Sequence, residues 1–318
     1  MQRTSALSFC TLFIALLTAC GSAQSPPSQT TPSEAGPASS SPSGSSVMSA
    51  AYKALIAGES DKAPALIQAV DGVVLRDPND GRATLYSGFM RLWDMDQGHL
   101  DPLQLLDTAT TAINRFSLVR QLLPDDDRGP GILGLTRVKV GRATGNSAMV
   151  SQGLSDLDAG IAIFPAYAHF LRAQATDTAP GNSADFAAVV SHMFAVLDAC
   201  QQLPDASGVY MYPAGPLDTK RRPCNDEGIV FHVFEGFFLH FGDYLLKAGW
   251  TADKVRPIYR SAMNSPTFGH WPFAPQLQQR IEQADQRAAL YADSDPTNDP
   301  ILFSASGQQC LGCHQNTP

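Results

Sequence analysis

Apolar residues in this chain recur at three- and four-residue spacings. No stretch alternates apolar and polar residues for long enough to suggest a major sheet. Leu85, Phe89, Leu92 and Trp93 share one helical face, as do Leu106, Ala109, Ala112, Ile113 and Phe116. Ala187, Val190, Met193, Phe194 and Leu197 continue the pattern, with Asp198 beside them. Thr251-Ala252-Asp253 supplies a helix start after a stop at Gly249. A last long helix is predicted near Pro275 to Tyr291, with Leu277, Ile281, Ala284 and Ala288 in one stripe.

One further helix is predicted over Glu227 to Lys247. At 100° per residue, Phe231, Phe234, Phe237, Phe238, Phe241 and Leu245 fall in one broad arc, and His232, Glu235, Gly236, His240 and Asp243 in the opposing arc. The favoured reading is the polar side of an amphipathic helix, with Gly236 and Gly242 permitting close packing. The competing reading is a set of groups that line a cofactor pocket, orient an iron-binding histidine or hold a metal.

Punctuation divides the helical part. Asp77-Pro78-Asn79-Asp80, Leu123-Pro124-Asp125-Asp126, Phe164-Pro165 and Leu203-Pro204-Asp205 recur at intervals of 46, 41 and 39 residues. An apolar helical segment follows each of the first three: Leu85 to Leu92, Ile132 to Val138 and Tyr167 to Leu171. Helix pairs that end in a proline resemble tetratricopeptide-type repeats, with a longer period and without that family's Trp-Leu-Gly-Tyr signature. The fold class this implies is all-α, a helical-hairpin stack with a C-terminal tail.

Composition sets the boundaries. Gly21 to Ser46 is 26 residues with ten serines, five prolines and a single charge, Glu34. Such a segment buries too little apolar surface to offset chain entropy and is expected to stay disordered. As a flexible tether it has a root-mean-square reach of roughly 28 Å. Residues 47–292 form the helical body, long enough for a substantial core, and residues 293–318 the tail. The net charge is −8, and losing residues 1–19 with Arg3 takes it to −9. An acidic chain is a poor nucleic-acid binder and disfavours anionic lipid surfaces. The basic cluster Lys220-Arg221-Arg222 reads as a solvated loop.

The N-terminus reads as an export signal. Arg3 precedes the apolar run Ala6 to Leu17, which is too short to span a bilayer. Leu17-Thr18-Ala19-Cys20 resembles the bacterial lipoprotein lipobox. The resemblance implies cleavage after residue 19, a diacylglyceryl group on Cys20 and, with Gly21 following, an outer-membrane address.

The chemistry lies at the other end. Cys310-Leu311-Gly312-Cys313-His314 is the spacing that covalent haem attachment requires: two thiols for the two vinyl groups and a histidine held beneath the porphyrin as axial iron ligand. A zinc site would lack a fourth ligand, and a thioredoxin-like dithiol would need a βαβ setting. The motif resembles c-type cytochromes. Phe303 to Gln309 is similar to the approach to haem in class I members, and the C-terminal placement behind helices resembles class II members such as cytochrome c′. The resemblance implies one covalent haem c, with Cys310 and Cys313 as attachment residues and His314 as iron ligand. Candidate sixth ligands are His232, His240 and His270, with Met211 and Met263 behind them. His99, His169 and His192 are weaker candidates.

Cys200 and Cys224 remain as one pair in an oxidising compartment. Bridged, they close a loop of 25 residues rich in proline and glycine, worth about 3 kcal/mol in the chain-entropy model. The expected function is one-electron transfer by a lipid-anchored cytochrome. Its partners would be a redox protein and, through the anchor, the membrane; nucleic acid is not among them. The alternatives are a helical-repeat binding lipoprotein with structural or no haem, and a haem peroxidase-like enzyme that draws an acid and base from His232, Glu235 or His240.

Overall fold

The computed structural model describes residues 43–57, 59–97, 99–126, 128–213, 224, 233–293 and 295–303. Over these the chain is all-helical. The helices are α1 (Gly44–Ala57), α2 (Ala63–Arg76), α3 (Gly81–Asp96), α4 (Pro102–Leu122), α5 (Arg128–Ala143), α6 (Ser147–Ile163), α7 (Pro165–Thr176), α8 (Ala184–Cys200), α9 (Val233–Lys247), α10 (Ala252–Ser261), α11 (Ala274–Glu282) and α12 (Ala284–Ala292). A lone antiparallel bridge, Pro204 to Tyr210, is the extent of β pairing among the described residues.

Local chemistry sets the helix starts. Asp80 caps α3 by accepting from Ala83 N–H, and Asp101 forms a reciprocal capping box with Gln104 ahead of Pro102 in α4. Asn146 and Ser183 cap α6 and α8 in the same way. The Asp-Pro-Asn-Asp and Leu-Pro-Asp-Asp punctuation falls in the turns before α3 and α5, and Phe164-Pro165 joins α6 to α7 with no loop between them. α1 begins at Gly44, three residues inside the segment whose composition reads as linker.

Successive helices from α1 to α7 pack on their neighbours, and α1 also meets α3 and α5 meets α7. Val70, Val73, Met90 and Trp93 are in the core of the first layer; Leu85, Phe116, Leu133 and Leu157 are in the next. Gly88 lets α4 close on α3, because a Cβ there would lie 2.7 Å from the Phe116 ring. Two carboxylates, Asp71 half-buried and Asp156 buried, tie these helices together. Asp71 accepts from Arg91 at 2.5 Å, Arg115 at 3.3 Å and Ser87 at 2.6 Å. Asp156 accepts from Arg120 at 2.6 Å and from Arg137.

The third core gathers α7 to α12 around α9. Here the structure departs from the amphipathic reading. Glu235, His240 and Asp243 are as buried as the phenylalanines opposite them, so α9 is a central helix rather than one with a solvated face. Of its two glycines, Gly242 serves close packing, with Tyr259 of α10 directly against it, whereas no atom of the described residues lies within 4 Å of a Cβ built on Gly236.

The single helix predicted near Pro275 to Tyr291 is instead two, α11 and α12, which break at Gln283 (φ −91, ψ 8). A continuous helix would give the Ile281 carbonyl to the N–H of residue 285. Arg256 Nε donates to that carbonyl from α10, at 3.3 Å.

Candidate functional site: the junction of α9 and the C-terminal strap

Cys20, His232, Cys310, Cys313 and His314 lie outside the described residues. The described chain brings its own chemistry together where residues 300–303 return across α9. Tyr291 Oη donates to the Pro300 carbonyl at 2.7 Å, and Arg280 and Arg287 each donate through Nη2 to the Ile301 carbonyl at 3.4 Å. Phe303 N–H donates to Asp243 Oδ2 at 3.0 Å. The Phe303 ring then packs edge-on against Phe273 at 4.9 Å and His240 at 5.1 Å. Leu302 and Phe303 are both buried. The root of the tail is therefore fixed to the body seven residues before Cys310.

Asp243 is the hub of this strap. Its carboxylate is fully buried and accepts from Tyr259 Oη at 2.8 Å, Arg280 Nε at 3.1 Å and Arg287 Nη2 at 3.1 Å, as well as from Phe303 N–H. Two guanidiniums thus face one carboxylate. The three groups together carry one net positive charge, and Arg287 Nε finds no acceptor among the described residues. Sequence reasoning placed Asp243 on α9's polar arc but missed its role and both arginines. The signal available was two arginines seven residues apart, flanking the apolar stripe of Leu277, Ile281 and Ala284.

The sequence candidates separate by exposure. His240 is 1 % exposed, ringed by Phe170, Tyr244 and Phe303, and its Nδ1 has no hydrogen-bond partner among the described residues. His270 is exposed on a 3₁₀ turn, Phe268–His270. Met211 and Met263 are 57 % and 45 % exposed. Their segments are tied together by Tyr210, whose N–H donates to Ser261 Oγ and whose carbonyl accepts from Asn264 Nδ2, both at 2.9 Å. His169 and His192 hydrogen-bond to each other between Nδ1 atoms 2.9 Å apart, and His99 pairs with Asp94 at 3.4 Å. Glu235 is fully buried and accepts from Thr267 Oγ1 at 2.7 Å. Cys200, at the end of α8, is bridged to Cys224 with a Cα–Cα distance of 5.4 Å.

Burial pushes the His240 imidazole down to about 4, with Lys139 acting in the same direction and Asp243 opposing both. Folded and unfolded chains both keep this ring neutral above the ordinary histidine value near 6.5. Below it the unfolded chain takes up a proton that the folded chain refuses until about pH 4. Stability from this group is therefore complete above pH 6.5 and lost as pH falls towards 4, by roughly 3 kcal/mol. Urea titrations from pH 7 to 4 should show that loss, with about one proton less of pH dependence in His240→Gln. An unchanged slope in the variant would place the acid sensitivity elsewhere, the His169–His192 pair being next.

No helix among the described residues is long and apolar enough to cross a membrane. No group of three or more His, Cys, Asp or Glu side chains among them is placed to hold a metal ion. No protein-family model matches the chain, and no curated protein and no solved structure is significantly similar to it.

Proposed function

We propose that this chain is a lipid-anchored c-type cytochrome that passes single electrons in the bacterial cell envelope, on the periplasmic side of the outer membrane. The observation that carries the reading is Cys310-Leu311-Gly312-Cys313-His314 at the end of a tail whose root is locked to α9 by Asp243 and the α11–α12 arginines. Export suits it, since covalent haem attachment in bacteria takes place outside the cytoplasm, and the lipobox ending in Cys20 supplies the anchor. The run of neighbour-on-neighbour contacts from α1 to α7 supports a hairpin stack resembling tetratricopeptide repeats as the scaffold.

The described residues fit a haem at this place in two respects. The guanidinium charge of Arg280 and Arg287 beside the strap suits the carboxylates that haem carries on its edge. The strap brings the tail to a body with an exposed imidazole nearby. Cys310 and Cys313 would hold the group and His314 its iron; when bound, it supplies one-electron redox chemistry. Electron transfer is favoured over a peroxidase-like reaction because Glu235 and His240 are buried, the latter beneath Phe303, and so are poorly placed as acid and base for an incoming substrate.

The test is maturation of the full chain in a bacterial periplasm supplied with haem-attachment machinery. The expected result is one haem per chain by pyridine haemochrome, with haem stain surviving denaturing electrophoresis in the wild type and absent in Cys310→Ala/Cys313→Ala. In the same cells Cys20→Ser should abolish fatty-acid labelling and move the protein out of the membrane fraction. A colourless wild type with two free C-terminal thiols would sink the cytochrome reading, and an unlabelled, soluble wild type would sink the anchor.

A further inference from the structure

We propose that His169 and His192 form a two-histidine site for a late first-row divalent cation, Cu²⁺ ahead of Ni²⁺ and Zn²⁺, clamped across the α7–α8 hairpin. The inference is independent of the cytochrome reading. His169 stands on α7 and His192 on α8, and their Nδ1 atoms face each other at 2.9 Å. The ring centroids are 5.1 Å apart and the planes are tilted by 37°. Both backbone positions are fixed from beneath. Ala168 and Phe170, on either side of His169, are buried, as is Met193 after His192. Phe170 and Met193 belong to the core around α9. The two imidazoles are themselves half-buried, so they are firmly mounted and still reach solvent.

The spacing is one that a metal ion can use. Bonds from imidazole nitrogen to such an ion are about 2.0–2.1 Å long. An ion bonded to both Nδ1 atoms, 2.9 Å apart, would sit about 1.4 Å off the line between them, with an N–metal–N angle of about 90°. That is the angle between neighbouring ligands in the tetragonal geometry that Cu²⁺ and Ni²⁺ favour, and affinity for nitrogen ligands peaks at Cu²⁺ along the divalent series. The contact in the structure is a hydrogen bond, with one Nδ1 as donor and the other as acceptor. The ion takes the place of that proton, and the rings turn about their side-chain bonds while the helices stay where they are. Burial pushes both imidazoles below the ordinary histidine value, His192 to about 4, so neutral nitrogens are on offer at pH 7. The Asp158 carboxylate of α6 acts on both rings and favours a cation there, while Arg172, which donates to Asp158 at 3.1 Å, opposes one at His192. No group of three or more His, Cys, Asp or Glu among the described residues is placed to hold a metal, so water fills the remaining positions.

The experiment titrates the full chain, haem-loaded or not, with Cu²⁺ in a non-chelating buffer, after any free thiols have been alkylated so that Cys310 and Cys313 do not compete. Electron paramagnetic resonance should show one tetragonal Cu²⁺ per chain with splitting from nitrogen ligands. His169→Gln and His192→Gln should each weaken binding by at least ~10-fold, because a direct ligand counts for no less than a supporting contact. His99→Gln and His270→Gln should bind as the wild type does. Circular dichroism checks that each variant is folded. A readout on the wild type alone covers the case in which one is not: the imidazole ¹⁵N resonances of His169 and His192 should be the first to broaden at substoichiometric Cu²⁺. A wild type that binds no Cu²⁺, wild-type affinity in both folded Gln variants, or first broadening at any other histidine would each overturn the site and leave the pair as a hydrogen bond only.

Discussion

Replacing Asp243 by alanine should lower the unfolding free energy by about 3–5 kcal/mol, the cost of removing one partner from a buried ion cluster. The carboxylate accepts four hydrogen bonds, from three side chains and one backbone amide, and none of its surface reaches solvent. Without it Arg280 and Arg287 face one another with no buried counter-charge, and Phe303 N–H and Tyr259 Oη lose their acceptor. The midpoint of urea unfolding measures the loss. Limited proteolysis should at the same time expose sites in residues 295–303, because the strap loses the hydrogen bond from Phe303 N–H to Asp243 of α9. Replacing the cluster as a unit, Asp243→Leu with Arg280→Met and Arg287→Met, should recover much of the stability, since no uncompensated charge then remains. An Asp243→Ala protein within 1 kcal/mol of wild type, with an uncut strap, would mean that the strap is held by Phe303 packing instead.

The second large effect is expected one residue earlier. A Cβ at Gly242 would lie 2.2 Å from Tyr259 Cε1 and 2.4 Å from Cδ1. Tyr259 cannot swing aside, because its ring is fully buried and its hydroxyl is committed to Asp243. Gly242→Ala should therefore part α9 from α10 and cost about 3 kcal/mol, at the upper end of overpacking penalties. Gly236→Ala, six residues earlier on the same helix, meets no atom of the described residues within 4 Å. It should instead raise stability by about 0.5–1 kcal/mol through the lost backbone freedom of glycine in a helix. Thermal or urea unfolding of the two variants side by side is the test. Equal effects would mean that helix propensity, not the Tyr259 contact, decides both.

Much of the helical architecture was legible in the chain because it depends on short-range physics. The spacing of Leu85, Phe89 and Trp93, the Asp and Asn caps, and the prolines that stop or start helices act within one or two turns, and a linear sequence displays those distances. The motif of the tail is legible for the same reason: Cys310, Cys313 and His314 fall within five consecutive residues, the spacing on which the proposed haem attachment rests.

What tertiary structure decided is which polar residues go inside. Periodicity put Glu235, His240 and Asp243 on a face of α9 but could not show that a second layer, α10 to α12 and the strap, covers that face. A helical wheel distinguishes two sides of a helix; it does not count the neighbours on each side. The same blindness hid three carboxylates that each take two arginines among the described residues, Asp71, Asp156 and Asp243, because those arginines lie 19 to 44 residues away. It also hid the break at Gln283, beside which a guanidinium from α10 donates to the Ile281 carbonyl. The sequence by itself determined the helices and the motif; long-range contacts, the buried Asp243 cluster and the packing of Phe303 on Phe273 and His240, decided where residues 300–303 are tied down.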